Sequence, residues 1–502
     1  MPRISHGEIP SLERLADAQG GTRRINRTAK VPFDFAVIQE PTPFGYLFPE
    51  LQTPETLLAS SRQTRDGLID LGMTMREPED DSTPDSATPS AYTYLGQFID
   101  HDITFEAKSD SLATLDDPDL EPLSLETITD QLKNGRTPSL DLDNVYYKPA
   151  PRIASRLRVG VVAPNGNRPP NKDIANDLPR RPPSTDKEND RAALIGDFRN
   201  DENLIIAQLH VAFLRAHNAI AGRGRTFDEA RSLLRQHYQW LVIKDFLNRI
   251  ADPEIVNSIL LNGNQVFRPP LDQLFMPLEF SVAAYRYGHS MVRPQYNVNL
   301  NFSGPSAATL QDLFTLTAVS GRLRKFDTLP EDWIIEWRNF LDEGSNRARE
   351  IDTRLTGGLF DLQAFGKEMP REARLPVRNL LRGYLLRLPT GQAIARALGL
   401  PVMTPREIEA VAASVSDEQL AAVRACNFSQ RTPLWYYILA ESANRLSSVL
   451  GPVGSTIVAE VLIGLIRNSK DSILRERNWR PTLGATPGRF TLRDLLKLGG
   501  VL

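Results

Sequence analysis

Five short stretches concentrate the residues able to do chemistry. In Tyr94-Leu-Gly-Gln97-Phe-Ile-Asp100-His101-Asp102-Ile-Thr-Phe-Glu106, a helical reading puts Gln97 and His101 one turn apart on one face. Asp100 and Asp102 then point to either side. A neutral imidazole there could move protons near physiological pH, or simply close a polar helix end. In Gly196-Asp-Phe-Arg199-Asn-Asp-Glu202, acids at a helix entrance suit the helix dipole, and Arg199 could stabilise developing negative charge. In Ala284-Tyr-Arg286-Tyr-Gly288-His289, a histidine follows a glycine inside a helical pattern. Glycine there costs about 1 kcal/mol relative to alanine and suits close approach of something bulky. His289 reads either as a satisfied core residue or as an axial metal or haem ligand. Thr137-Pro-Ser139-Leu-Asp141-Leu-Asp143 alternates oxygen-bearing side chains, as a hard cation such as calcium requires; a solvated acidic turn would read the same. Asn379 and Arg382 lie three apart on one helical face, which a plain surface helix also explains.

The elements that must position these residues read as mainly helical. Ile206, Leu209, Phe213, Ala216 and Ile220 recur at helical spacing and predict a helix over Asn203–Ala221. Thr226-Phe-Asp-Glu229 has the form of a capping box opening a helix that runs to about Leu247. Thr404-Pro-Arg-Glu407 and Ser416-Asp-Glu-Gln419 repeat that signal. Thr432-Pro433 starts a long apolar helix, and Gly451-Pro452 interrupts its continuation towards Arg467. Strand signals are few and short. Residues 163–190 and 76–90 read as irregular surface loops, and the 37 prolines are scattered among many connections.

Composition narrows the classes. The 502 residues carry 59 Lys+Arg against 62 Asp+Glu, a net charge of −3, without the basic excess of a general nucleic-acid binder. The hydrophobic share of 41 % and charged share of 24 % are those of a folded globular chain. The single cysteine, Cys426, excludes an intramolecular disulfide and any multi-thiolate metal site. The first residues lack the apolar run of a signal peptide. Ile457–Ile466 is too short for a membrane span and contains Glu460. A soluble protein is expected, cytoplasmic or exported by a leaderless route, with no transmembrane segment. Nothing specifies an oligomeric state.

The order of the stretches adds what no single one carries. A histidine with a glutamine one turn before it, a cation loop, an arginine, a second histidine, then an asparagine: this resembles the animal-type haem peroxidase superfamily, that of myeloperoxidase and lactoperoxidase. The matching motifs run from Gln97 to Arg382. The resemblance implies a mainly α fold, a single large helical domain with long irregular loops and little β structure. The expected division is an N-terminal extension, 1–75, packed on a catalytic domain, 76–502.

It further implies a distal histidine, His101, with Gln97 beside it and Arg199 as the distal arginine. His289 matches the proximal iron ligand, and Asn379 its hydrogen-bond partner. Arg286 and Arg382 match partners of the haem propionates. Asp100 and Glu202 match the carboxylates that ester-link haem b. Asp102, Thr137, Ser139 through its carbonyl, Asp141 and Asp143 match calcium ligands. Chloride-oxidising members carry a methionine after the glutamate; here Asn203 stands there, so thiocyanate, iodide, bromide and phenols are the expected donors. The implied reaction uses hydrogen peroxide and passes through an oxidised iron–oxo haem. Two other functions compete. A fatty-acid oxygenase of the same superfamily would carry a tyrosine three residues before the proximal histidine, where Arg286 stands. A non-catalytic haem- or calcium-binding adhesion protein would not need His101, Arg199 and His289 together. Animal members hold several disulfides, so this chain looks like a bacterial-type member without them.

Overall fold

The computed structural model describes residues 41–502 apart from 80–82, 107–114, 149, 166–172, 187–188, 271–272, 363–369, 446–447 and 477. Most of the expected N-terminal extension therefore lies outside the described residues. Helices dominate. The strands are two to five residues long and form small two- and three-stranded sheets.

The sequence punctuation sits where the helices begin. Asn203 caps Leu204–Ala221 by accepting from the Ile206 N–H at 3.0 Å. Thr226 and Glu229 form a reciprocal capping box on Phe227–Leu241, and the helical path continues through a wide π turn, Val242–Phe246, to Ile250. Thr404 with Glu407 and Ser416 with Gln419 open Pro405–Val415 and Asp417–Ala425. Leu434–Asn444 and Pro452–Asn468 are separate helices; the first ends at Asn444, short of the expected interruption at Gly451-Pro452, and Pro452 opens the second. One expectation fails. Within 76–90, Asp85–Pro89 is a strand pairing antiparallel with Arg347–Arg349. Its partner lies over 250 residues away, which local composition does not reveal.

Leu204–Ala221 is the axis of the core, with Leu209, Ala212, Phe213 and Ala216 fully buried. It is the one helix among the described residues long and apolar enough to cross a membrane, and 83 % of it is buried inside the fold. Phe98 of helix Ala91–Ile103 stacks on Phe213 at 4.2 Å between ring centroids, which seats that helix on the axis. Helix Arg62–Met73 packs on Leu375–Leu385. A Cβ at Gly72 would stand 2.8 Å from the Val377 Cα, so only glycine permits this approach.

Buried acids staple the elements together. Glu460, inside the apolar stretch, accepts from the Gln265, Val266 and Phe267 N–H groups at 2.8, 3.2 and 3.1 Å. Glu441 accepts from Val453 N–H at 2.9 Å, satisfying the entrance of Pro452–Asn468. Glu279 holds the Leu47 and Phe48 N–H groups.

Candidate functional site

Gln97, Asp100, His101 and Asp102 occupy the last two turns of Ala91–Ile103. His101 is 1 % exposed. Its Nδ1 lies 2.8 Å from Asn200 Oδ1 and its Nε2 3.7 Å from Glu202 Oε1. Gln97 donates from Nε2 to the same Glu202 oxygen, while its Oε1 accepts from Asn203 Nδ2 at 3.2 Å. Burial, then the Arg199 charge, push the His101 imidazole down to about 4. It is neutral at pH 7, as a proton acceptor must be.

The partners come from the turn entering Leu204–Ala221. Asp197 caps the short 3-10 helix Phe198–Asp201 by accepting from the Arg199 N–H at 2.9 Å. The Arg199 side chain is fully buried. Its Nε donates to Asp197 Oδ1 at 3.0 Å and its Nη2 to Asp197 Oδ2 at 2.7 Å. Nη2 also reaches the carbonyls of Thr104 at 2.5 Å and His101 at 3.3 Å. These are acceptors at the C-terminal end of Ala91–Ile103, so Arg199 closes that helix end as well as charging the site. Arg136 joins Asp197 through Nε at 3.0 Å. Burial alone would raise the Asp197 carboxyl; the two guanidiniums hold it well below the usual carboxylate range.

The second histidine stands on an irregular segment. A π turn, Glu279–Ala283, leads into a 3-10 helix, Ala284–His289, where a regular helical pattern was expected. In a 3-10 helix residues three apart eclipse, so Arg286, not Tyr285 or Tyr287, lies on the side of His289. Asn379 on Leu375–Leu385 brings its amide 2.9 Å from His289 Nδ1. Burial first, then Arg286, push the His289 imidazole down to about 3. Nothing lies within 4 Å of where a Cβ on Gly288 would be.

One ion pair ties the two histidine segments together. Arg286 donates to Asp100 from Nη1 at 3.1 Å and Nη2 at 3.3 Å. Arg382, one turn from Asn379, pairs with Glu106 just beyond the His101 helix. Both guanidiniums expected to meet propionates thus face carboxylates of the distal side.

Asp102 points to the other side of its helix, as expected. It accepts from the Leu142 and Asp143 N–H groups at 3.2 and 2.6 Å. Burial, with Asp143 and Asp141 nearby, pushes its carboxyl well up. Ser139 Oγ donates to Asp141 Oδ2, and the Thr137 N–H to Asp143 Oδ2 at 3.3 Å. The other Asp141 carboxylate oxygen is buried with no hydrogen-bond partner. Mutually repelling buried carboxylates and an unmet oxygen fit a hard cation. Among the described residues, however, no three acidic, histidine or cysteine side chains already stand in ligating geometry. The Ser139 carbonyl also accepts the Asp141 N–H at 3.0 Å.

Every residue singled out in the sequence except Arg382, which pairs with Glu106, is therefore joined to another of the set. Four groups that complete the network had been given no role: Asp197, Asn200, Arg136 and Glu106. Asp197 and Asn200 lie within two residues of Arg199 in the quoted motif; a polar run before a largely apolar helix is the trace they leave in the sequence. Asn203, read only as a missing methionine, is at once the cap of the core helix and a donor to Gln97.

Comparison with known proteins agrees. Residues 121–329 match the family model for animal haem peroxidase. The chain is 27 % identical over 249 residues to a peroxidase-like protein of Margaritifera margaritifera, covering 40 % of this chain and 31 % of that one. It is 27 % identical over 202 residues to a chorion peroxidase of Aedes aegypti, covering 38 % and 24 %. The alignments thus span about a quarter to a third of these relatives' length. Peroxidase A of Dictyostelium discoideum shares the fold at a TM-score of 0.55 and 16 % identity, over 86 % of this chain and 88 % of that one. A fatty acid alpha-dioxygenase of Arabidopsis thaliana shares it at 0.54 and 11 %, over 92 % and 74 %. Residues 121–329 are thus similar to the animal haem peroxidase family, and the chain shares the fold of a solved peroxidase.

Proposed function

We propose that this protein is a haem-dependent peroxidase that uses hydrogen peroxide to oxidise small anionic or phenolic donors. The observation that carries the reading is His101, a buried imidazole whose Nδ1 is engaged by Asn200 while Nε2 faces Glu202, which Gln97 also holds.

Open space beside Gly288, next to His289, and the buried carboxyls of Asp100 and Glu202 fit haem b. His289 would hold its iron, Asp100 and Glu202 would ester-link it, and Arg286 and Arg382 would turn from Asp100 and Glu106 to its propionates. Haem, when bound, supplies the redox centre that takes up the two oxidising equivalents of peroxide. The chain's own groups do the rest. His101 Nε2 takes the proton of the inner peroxide oxygen and returns it to the outer one, which leaves as water. Arg199, fixed by Asp197, favours the negative charge that develops as the O–O bond separates. Asn379, whose Nδ2 lies 2.9 Å from His289 Nδ1, would orient that ring from behind. Calcium on Asp102, Thr137, Ser139, Asp141 and Asp143 would brace the end of the His101 helix.

The fatty-acid oxygenase reading is disfavoured by Arg286, which occupies the position eclipsing His289 and is held in an ion pair. Tyr285 stacks on Phe280, with ring centroids 4.6 Å apart. Steady-state oxidation of thiocyanate, iodide, bromide, chloride and a phenol by peroxide, on one haem-loaded sample, tests the proposal. Turnover of thiocyanate, iodide, bromide or the phenol is expected, with chloride slowest. Robust oxygen uptake with a long-chain fatty acid and no peroxide would contradict it.

A further inference from the structure

Asn200 is fully buried, and its carboxamide lies between two imidazoles. Oδ1 stands 2.8 Å from His101 Nδ1, and Nδ2 stands 2.9 Å from His210 Nδ1. His210 lies on Leu204–Ala221, 0 % exposed, with the Phe98 ring edge-on at 6.0 Å between centroids. Its Nε2 is buried without a hydrogen-bond partner. Asn200 is held from its own backbone by an N–H bond to Asp197 O at 3.1 Å, so the amide is carried by the same turn that fixes Arg199.

A neutral imidazole has one N–H and one bare nitrogen, and which is which depends on the partner of the other. A carboxamide has fixed polarity: its oxygen accepts and its nitrogen donates. Both rings are buried, His101 1 % and His210 0 % exposed, which favours the neutral imidazole in each. With Oδ1 towards His101, that ring must carry its proton on Nδ1. With Nδ2 towards His210, that ring must be bare at Nδ1 and protonated at Nε2. The opposite tautomer of His101 has its own attraction, because Nε2–H would then face the Glu202 carboxylate 3.7 Å away. Something must select against it.

We infer that Asn200 is a positioning residue that locks His101 in the Nδ1–H tautomer and leaves its Nε2 bare, and that His210 accepts the remaining amide N–H. Without His210, the amide would keep a buried donor with no acceptor, which is costly. The device is a lock and not a relay, since an amide does not readily pass a proton between its ends. That a bare Nε2 serves as base rests on the peroxidase reading; the tautomer itself does not.

The test labels the histidines of the full-length chain with 15N, loads haem in its diamagnetic ferrous–carbonyl form, and reads the ring nitrogens through their two-bond proton couplings. Signals are assigned with His101→Gln and His210→Gln. Wild type is expected to show an N–H-bearing Nδ1 for His101 and an N–H-bearing Nε2 for His210. Asn200→Leu should shift His101 towards the Nε2–H form and slow its reaction with peroxide at least tenfold, leaving the donor KM unchanged. Asn200→Asp, which accepts at both ends, should keep His101 as in wild type and invert His210 to Nδ1–H. That inversion is a change no loss of packing produces, and it serves if the leucine variant fails to fold. A protonated Nε2 on wild-type His101, or a His210 pattern unmoved by Asn200→Asp, overturns the lock. A correct tautomer in a protein that does not react with peroxide upholds the lock and removes the peroxidase reading instead.

Discussion

The two histidine segments are built in opposite ways. His101 ends a regular α-helix whose last carbonyls are closed by Arg199, and both its ring nitrogens face side chains of the neighbouring turn. His289 ends a π turn followed by a 3-10 helix, and one amide, that of Asn379, meets its ring. The His101 side is held by a buried Arg136–Asp197–Arg199 cluster, the His289 side by packing, the Asn379 amide and the Arg286–Asp100 ion pair. A proton acceptor must be fixed to a fraction of an ångström, and only a dense polar net does that. A metal ligand needs an accessible lone pair and a partner behind it. Local departures from regular helix geometry gather where such a ligand is presented.

The comparison breaks most visibly on the histidines themselves. His289→Ala should abolish haem binding, read as loss of the Soret band, while His101→Ala should retain it. The reverse pattern would exchange the two sides. Next in size is the cluster. Asp197→Ala leaves two buried guanidiniums without their carboxylate and should cost about 3–5 kcal/mol in urea unfolding. Asn379→Ala should leave urea stability nearly intact yet weaken haem affinity by about 10- to 100-fold. Equal effects on stability would erase the difference between the sides.

Two smaller effects lie outside the pair. Calcium chelation should lower Tm by a few degrees, on the order of a 1 kcal/mol change; no change would dismiss the Asp102 assignment. Acid should loosen the C-terminal segment. His237 Nε2 accepts the Thr482 and Leu483 N–H groups at 2.9 and 3.1 Å, and burial pushes this imidazole down to about 4. The unfolded chain protonates its histidines near 6.5, so between those values it binds the extra proton and the folded chain does not. Stability is thus fully present above about pH 6.5 and is lost as pH falls towards 4. Hydrogen exchange of residues 482–498 across that range reads it, and His237→Gln should flatten the dependence.

Much of this could be read in the residue order. The helices over 204–221, 227–241, 405–415 and 417–425 are legible because their caps and apolar spacing are local. His101, Arg199 and His289 are legible because each stands in a short motif of unusual residue types. The pairing of Asp85–Pro89 with Arg347–Arg349 is not, since its signal lies in a distant segment. Nor are the partners that give the site its geometry. That Asp197 charges Arg199, that Asn200 spans two imidazoles and that Arg286 faces Asp100 depend on where the turns bring side chains. Segment 284–289 reads as helix because its spacing is helical; in the fold it is a tighter 3-10 helix packed against 91–103, 434–444 and 452–468.

The central claim is that His101 moves the proton of peroxide on a haem held from the other side. Stopped-flow mixing of hydrogen peroxide with haem-loaded wild type and with His101→Ala, at matched haem content, tests it most directly. A fall of about 100- to 10,000-fold in the second-order rate is the expected result. Equal rates in the two proteins would contradict it.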